Sequence, residues 1–223
     1  MKTKSKTFIL LLILSSYICY SQEENELITL EQTEHLLPLD GILNSYDFYY
    51  EYYSNIRRTL FKGLSDSPRI QFVCTPSFEN EYILHVQDST IIYRRTNSNI
   101  WYSKNIDSIT FTEFRSSINM ESIELLQNLY RAAIKQTKHQ IIEPKDYDNL
   151  LSINDGVTYI FTVYNMGNKS GQSKSPKEGT SIFNLVEISE ELISKLKKSD
   201  GKNIKIKGSL KKKIENLTES FRI

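Results

Sequence analysis

Five short segments rich in β-branched and aromatic residues follow one another between Ile70 and Phe114, and this region constrains the fold more than any other. Turn-forming residues separate these segments, and short strands joined by tight turns pair as antiparallel hairpins. In the second segment apolar and polar residues alternate, so one face of the sheet is expected to be buried and the other wetter. The predicted strands are Ile70–Thr75, Glu81–Gln87, Thr90–Thr96, Trp101–Ile106 and Ser108–Phe114.

Segments with helical periodicity lie on both sides of this region. Tyrosines and aliphatic residues recur at spacings of three and four, which is the period of one helix face. Asn119 stands where an N-cap is expected, at the start of the segment with the clearest helical pattern. The predicted helices cover residues 43–61, 119–137, about 185–196 and the stretch after 209, and one further strand covers residues 157–164.

The order of these elements predicts the fold class. Helix, strands, helix, strand and helix follow one another without the regular βαβ alternation of a doubly wound sheet. We therefore expect an α+β fold, with an antiparallel sheet of five or six strands and helices packed mainly on one face. The expected organisation is a signal peptide over residues 1–21, an acidic lead-in over 22–42 and a single α+β domain over 43–223.

The N-terminus has the pattern of an export signal. Lysines at positions 2, 4 and 6 precede the apolar stretch Phe8–Leu14, and a small-x-small site ends at Ser21. The apolar stretch is too short to span a bilayer, and the mature chain contains no other candidate span. The sequence therefore predicts a periplasmic or secreted protein. Lipidation at Cys19 is the alternative, but that chemistry needs a small residue before the cysteine and Ile18 stands there.

Cys74 is the only cysteine left once the signal is removed, so the mature domain has no intramolecular disulfide. A thiol can act as a nucleophile when a base activates it, so an exported hydrolase using Cys74 with His85 or His139 is one alternative. The three histidines lack the ligand spacing of zinc sites, and phosphate-binding, dinucleotide-binding and Gly-x-Ser-x-Gly motifs are absent. The sequence predicts no metal and no cofactor, and it favours a protein that is not an enzyme.

Two groups of residues are candidates for binding. The first predicted helix carries more tyrosines than one buried stripe needs, so some rings are expected at the surface. The second group is a predicted loop, residues 165–180, rich in glycine, serine and lysine. The alternatives are a helix packed on the sheet with its hydroxyls in water and a surface loop without a role. The candidate residues are Tyr49, Tyr50, Tyr53, Lys169, Lys174 and Lys177.

The C-terminal region is strongly basic. Between Lys195 and Lys213 there are nine lysines and one acid, Asp200, whereas removal of residues 1–21 lowers the formal net charge of the whole chain from +1 to −2. Lys197, Lys198 and Lys211 are candidates for contact with an anionic surface. The region lacks arginine and aromatic residues, so no nucleic-acid partner is expected. A solvated face is the alternative reading of this charge.

These patterns together lead to one functional hypothesis with two alternatives. The leading hypothesis is an exported, non-enzymatic interaction or binding module that contacts a protein or a glycan in the cell envelope. The alternatives are the Cys74 hydrolase and a binder of anionic surfaces acting through the lysine-rich region. The observations behind the leading hypothesis are the export signal, the missing catalytic motifs and the excess of tyrosines.

Overall fold

The computed structural model describes residues 28–29, 34–39, 47–139, 150–151, 155–164 and 166–222; the side chains at 28–29, 47–49 and 150–151 lie outside this description. The described helices are α1 (Asp47–Leu60), α2 (Met120–Lys135), α3 (Ser181–Lys197) and α4 (Gly208–Ser220), with a short 3₁₀ helix at Ile106–Ser108. The described strands are β1 (Ile28–Thr29), β2 (Ile70–Pro76), β3 (Tyr82–Gln87), β4 (Thr90–Thr96), β5 (Phe111–Ser117), β6 (Leu150–Leu151), β7 (Val157–Tyr164) and β8 (Asn168–Lys174).

The chain divides into two compact units. Of the described residues, the smaller unit holds β1 and β6, which pair in parallel. The larger unit contains the other six strands and the four described helices. All the contacts described below lie within the larger unit.

The larger unit is built on one six-stranded sheet in the order β5–β4–β3–β2–β7–β8. Every neighbouring pair is antiparallel, and β2 to β5 form a continuous meander. The strand β7 returns to pair with β2, so that Val73 lies opposite Ile160. The predicted α+β fold with a five- or six-stranded antiparallel sheet is confirmed.

The two faces of the sheet carry separate apolar clusters, because successive side chains of a strand point to opposite faces. Phe72 and Phe161 lie in the larger cluster, together with the buried residues of α2, α3 and α4. Val73 and Ile83 lie in the smaller cluster, together with Ile56 of α1. The helices are therefore packed mainly on one face, as predicted, and among the four described α-helices only α1 covers the other face, together with Ile106 of the 3₁₀ helix.

The predicted strand Trp101–Ile106 is wrong, since this segment forms a turn that leads into the 3₁₀ helix. Asparagine side chains here bond to backbone N–H groups that a strand would bond to its neighbour. Asn99 Oδ1 accepts a hydrogen bond from the Tyr102 N–H, and Asn105 Oδ1 accepts one from the Asp107 N–H. Such local bonds compete with strand pairing. The next strand accordingly begins three residues later than expected, at Phe111, and runs to Ser117.

The predicted loop over residues 165–180 is also wrong, because its centre is the strand β8. Gly167, at φ +127°, lies in the turn that connects β7 to β8. Glycine, serine and lysine are typical of loops, but an edge strand at the rim of a sheet tolerates them. In β8, Gly171 pairs with Phe161 and lies directly beneath the buried side chain of Leu36.

Both edge strands of the sheet meet a segment that is not itself a strand. At β8, Leu37 and Gln172 exchange backbone hydrogen bonds of 2.8 and 2.9 Å. Next to β5, Ile204 forms a parallel bridge with Ile118, and the Ile204 N–H donates to the Ser117 carbonyl at 2.8 Å. Among the described residues, no helix is long and apolar enough to cross a membrane.

Candidate binding site

A fully buried carboxylate joins α1 to the loop that follows β4. Glu81 has no exposed surface, and its Oε1 accepts a hydrogen bond of 3.0 Å from the Tyr52 hydroxyl. The Ile100 N–H lies 3.0 and 2.9 Å from the two carboxylate oxygens, and the Thr96 hydroxyl donates to Oε2 at 3.2 Å. A carboxylate withdrawn from water needs such partners. Glu81 therefore fixes the position of Tyr52 relative to the loop.

The residue after Ile100 is Trp101, the only tryptophan of the chain. The Tyr52 ring meets the Trp101 ring edge-on, with 4.9 Å between centroids, and the Tyr53 ring lies 5.6 Å from that of Tyr52. Trp101 keeps 36% of its surface exposed and Tyr102 keeps 60%. Glu81 thus holds both members of a partly exposed aromatic pair. It binds the Tyr52 hydroxyl directly, and it holds Trp101 through the backbone N–H of the preceding residue, Ile100.

Two clefts meet at this aromatic pair, and we call them together the aromatic groove. Tyr52 and Trp101 line both clefts. The first cleft, of about 150 Å³, is also lined by Tyr53, Tyr102, Thr75, Pro76, Ser77, Asp155, Gly156, Thr158 and Lys174. The second cleft, of about 190 Å³, is also lined by Glu51, Asn55, Ile100, Ser103, Lys104 and Ile106.

The groove combines aromatic rings with hydrogen-bonding side chains of several kinds. Asp155 offers a carboxylate and Lys174 an ammonium group on the first cleft, while Asn55 and Lys104 stand on the second. The Ser77 hydroxyl donates to the Gly156 carbonyl and accepts from the Gly156 N–H, each at 2.9 Å, which joins the end of β2 to the turn before β7. Ring faces and convergent polar groups on rigid elements are typical of binding clefts.

The structure brings two of the candidate residues, Tyr53 and Lys174, to the same cleft. Tyr50 is 64% exposed, whereas the side chain of Tyr49 lies outside the described part of α1. The other two candidates of this group do not line the groove: Lys169 is exposed near the start of β8, and Lys177 is exposed after its end.

The three candidate lysines of the C-terminal region lie elsewhere in the fold. The Lys197 ammonium stands 4.3 Å from the centroid of the Tyr93 ring. Lys198 is exposed at the C-cap of α3. Lys211 Nζ donates to Glu121 Oε1 at 2.8 Å, so this lysine is paired with a carboxylate at the start of α2.

The sequence interpretation missed the centre of the groove, because it placed Trp101 in a strand and gave Glu81 no role. One signal was available: a lone tryptophan beside a tyrosine in a stretch of asparagines and serines is unusual for the buried face of a strand. Glu81 carried no such signal. Its burial depends on Tyr52 and Ile100, which lie 29 and 19 residues away in the chain.

Cys74 and His85 do not meet, because they point to opposite faces of the sheet. Cys74 is 1% exposed, lies opposite Tyr82 in the register and belongs to the large cluster beneath α2–α4. Burial raises the pKa of its thiol, although a hydrogen bond with Tyr82 opposes this. The second candidate base, His139, is exposed after the end of α2.

His85 belongs to a buried polar chain on the α1 face. Its Nδ1 accepts from Gln71 Nε2 at 3.0 Å, so its Nε2 carries the proton and donates to Gln87 Oε1 at 3.1 Å. Burial lowers the pKa of His85 to about 4, which keeps the ring neutral. Gln71 also lines a cleft of about 240 Å³ between α1 and the sheet. Because one Gln71 N–H is bonded to the buried His85 ring, we assign this series of hydrogen bonds to the packing of the sheet.

Comparisons with family models, with curated proteins and with solved structures found no match to this chain. Within the described ranges, no group of three or more His, Cys, Asp or Glu side chains is placed to hold a metal ion. The groove's own geometry is therefore the basis for a functional proposal.

Proposed function

We propose that this chain is an exported, non-enzymatic binding module that takes an oligosaccharide in the aromatic groove. The single observation behind this proposal is the Tyr52–Trp101 pair, which divides two clefts and is tied to the buried Glu81 carboxylate. A pyranose ring has apolar C–H faces that pack on aromatic rings and hydroxyl groups that bond to carboxylates, amides and ammonium groups. The groove offers both kinds of partner.

The shape of the groove favours a chain of sugars over a single small molecule. Each cleft is small and open, and the two share an aromatic wall, so successive sugar units would occupy successive clefts. The wall is rigid before binding because Glu81 anchors it, and a preformed site loses less conformational entropy when a flexible ligand binds. Export supports the same proposal, since polysaccharides of the envelope and its surroundings lie outside the cytoplasm.

Trp101 provides the test, because as the only tryptophan it reports directly on the groove. Titration of the folded chain with a panel of neutral and acidic oligosaccharides should change Trp101 emission saturably for one class of sugar. Tyr102→Ala keeps the fluorophore and removes an exposed ring of the first cleft. Loss of an aromatic contact residue should weaken binding about tenfold or more.

Tyr164→Ala is the matched control, because Tyr164 is a 43% exposed tyrosine at the far end of β7 and lines neither cleft of the groove. The affinity of the Tyr164→Ala variant for the sugar should equal that of the wild type. Failure of all the sugars to bind would overturn the proposal, as would equal weakening by both substitutions. A protein retained by the wild type and lost with Tyr102→Ala would replace the sugar with a protein partner.

A further inference from the structure

Along residues 202–207 exposed lysines alternate with buried isoleucines. Ile204 and Ile206 are 6% and 5% exposed and belong to the large apolar cluster, whereas Lys202, Lys205 and Lys207 are exposed. The backbone here is fixed at two points: the Ile204 N–H donates to the Ser117 carbonyl at 2.8 Å, and the Ile206 N–H donates to Ser122 Oγ at 2.9 Å. The three lysines therefore stand on an anchored segment of the fold.

Two neighbouring elements add exposed lysines to this segment, and we call the set the lysine surface. It consists of Lys198, Lys202, Lys205, Lys207 and Lys212. The flanking lysines have carboxylate partners, since Lys195 and Lys213 share Glu191 and Lys211 pairs with Glu121. No member of the lysine surface forms a salt bridge with any carboxylate that the structure describes.

The lysine surface and the aromatic groove lie at opposite ends of the sheet, as the two ends of β4 show. Thr90 at the start of β4 pairs with Ser117, to which the lysine-bearing segment is bonded. Thr96 at the other end bonds to Glu81 beneath the groove. A strand rises about 3.3 Å per residue, so these ends are about 20 Å apart. Contact at one end leaves the other end free.

We propose that the lysine surface docks this protein on an anionic phospholipid membrane and leaves the aromatic groove accessible at the far end of the sheet. This docking does not rest on the nature of the groove's ligand. Lysine is a hydrated point charge without the fork that binds one phosphate in two places, so a cluster of lysines suits a diffuse layer of headgroups. Residues 195–213 contain no arginine and no aromatic residue, unlike a surface that threads and stacks a nucleic acid.

The test is cosedimentation of the mature chain with vesicles of phosphatidylcholine alone or with about one third phosphatidylglycerol. We expect binding only to the anionic vesicles. It should be lost as the ionic strength rises from about 0.1 M to about 1 M, because the Debye length falls from about 10 Å to about 3 Å. The variant Lys198→Gln/Lys202→Gln/Lys205→Gln/Lys212→Gln should weaken partitioning at least about 100-fold.

A control variant with the same net charge removes four exposed lysines outside the surface: Lys62→Gln/Lys135→Gln/Lys169→Gln/Lys177→Gln. It should keep most of the wild-type binding. Equal losses in the two variants would mean that net charge alone is at work and would overturn the proposal. No binding to anionic vesicles would overturn it too, including the case in which a soluble polyanion such as heparin binds.

Trp101 tests the orientation independently of any sugar. Quenching of Trp101 emission by aqueous acrylamide should be the same for the vesicle-bound and the free protein, because the groove faces away from the bilayer. Protection of Trp101 from acrylamide on docking would show that the groove end meets the membrane, and the proposed orientation would be wrong.

Discussion

At the scale of single residues, Glu81 has the largest predicted effect on both stability and the groove. Glu81→Ala removes the acceptor of the buried Ile100 N–H and of the Tyr52 hydroxyl, whereas the Thr96 hydroxyl keeps the backbone carbonyl of residue 81 at 3.2 Å. Each buried polar group left without a partner costs about 1–3 kcal/mol, so the free energy of unfolding should fall by about 3 kcal/mol or more. Urea unfolding measures this loss, and Trp101 should at the same time become more accessible to acrylamide.

Glu79→Ala is the control for this substitution, because Glu79 lies two residues earlier with a 74% exposed side chain and pairs with Arg95 at 3.1 Å. An exposed ion pair contributes less than about 1 kcal/mol, and neither Glu79 nor Arg95 lines the aromatic groove. If Glu81→Ala destabilised the fold no more than Glu79→Ala, or left Trp101 unchanged, Glu81 would not be the anchor of the groove.

At the scale of elements, β8 depends on the close approach of the segment around Leu36, which passes over Gly171. A Cβ added at Gly171 would lie 2.9 Å from Leu36 Cβ and 3.0 Å from Thr137 Oγ1. Gly171→Ala should therefore force this segment outward and lower the stability by about 1–3 kcal/mol. Ser173→Ala, on the same face of the same strand, should cost little, because the buried Ser173 hydroxyl has no partner among the described residues. Equal effects of the two substitutions in thermal unfolding would contradict this account.

The strands that the sequence predicted correctly are those whose pattern is decided by burial. In β2, β3, β4 and β7, apolar residues face one or both clusters, and the predicted bounds agree with the observed ones to within one residue. The element β8 was missed because its stability comes from pairing with β7 and from Leu36 above it, and neither partner is visible in its own composition. The segment 101–106 was predicted as a strand because aromatic residues favour strands, yet the asparagine side chains around it decide the outcome.

At the scale of the whole molecule, His85 should make the stability depend on pH. The pKa of His85 in the folded chain, about 4, lies below the ordinary histidine pKa of 6.5, so between these pH values the unfolded chain binds a proton at His85 and the folded chain does not. This contribution to stability is fully present above pH 6.5 and is lost as the pH falls towards 4. At 1.36 kcal/mol per unit of pKa difference, it amounts to about 3 kcal/mol.

The measurement is the free energy of unfolding at pH 7.5 and at pH 4.5 for three proteins. The wild type and His139→Gln, which changes an exposed histidine, should lose similar amounts of stability on acidification. His85→Gln should lose less, because its side chain does not titrate. The same acid-induced loss in His85→Gln would show that other groups account for the pH dependence.

The sequence predicted the fold of the whole molecule better than its candidate site. An α+β arrangement follows from periodicities that each segment carries by itself. The aromatic groove joins α1, the loop after β4 and the ends of β2, β7 and β8, so its composition depends on the strand order. Of the residues chosen as binding candidates, Tyr53 and Lys174 line the groove. The roles of Trp101 and Glu81 could not be predicted without the register of the sheet.

The segments that meet the two edge strands also bear on how copies of this protein behave together. An edge strand with open backbone groups templates the addition of a strand from another chain. Here Leu37 occupies such groups at Gln172, Ile204 occupies the Ser117 carbonyl, and β5 carries the charged pair Glu113–Arg115. Addition of a strand at these two points would first have to displace a segment that is anchored in the core. The fold thus hinders assembly into fibres at these points while it remains folded, although Cys74, the cysteine that the structure describes, forms no disulfide.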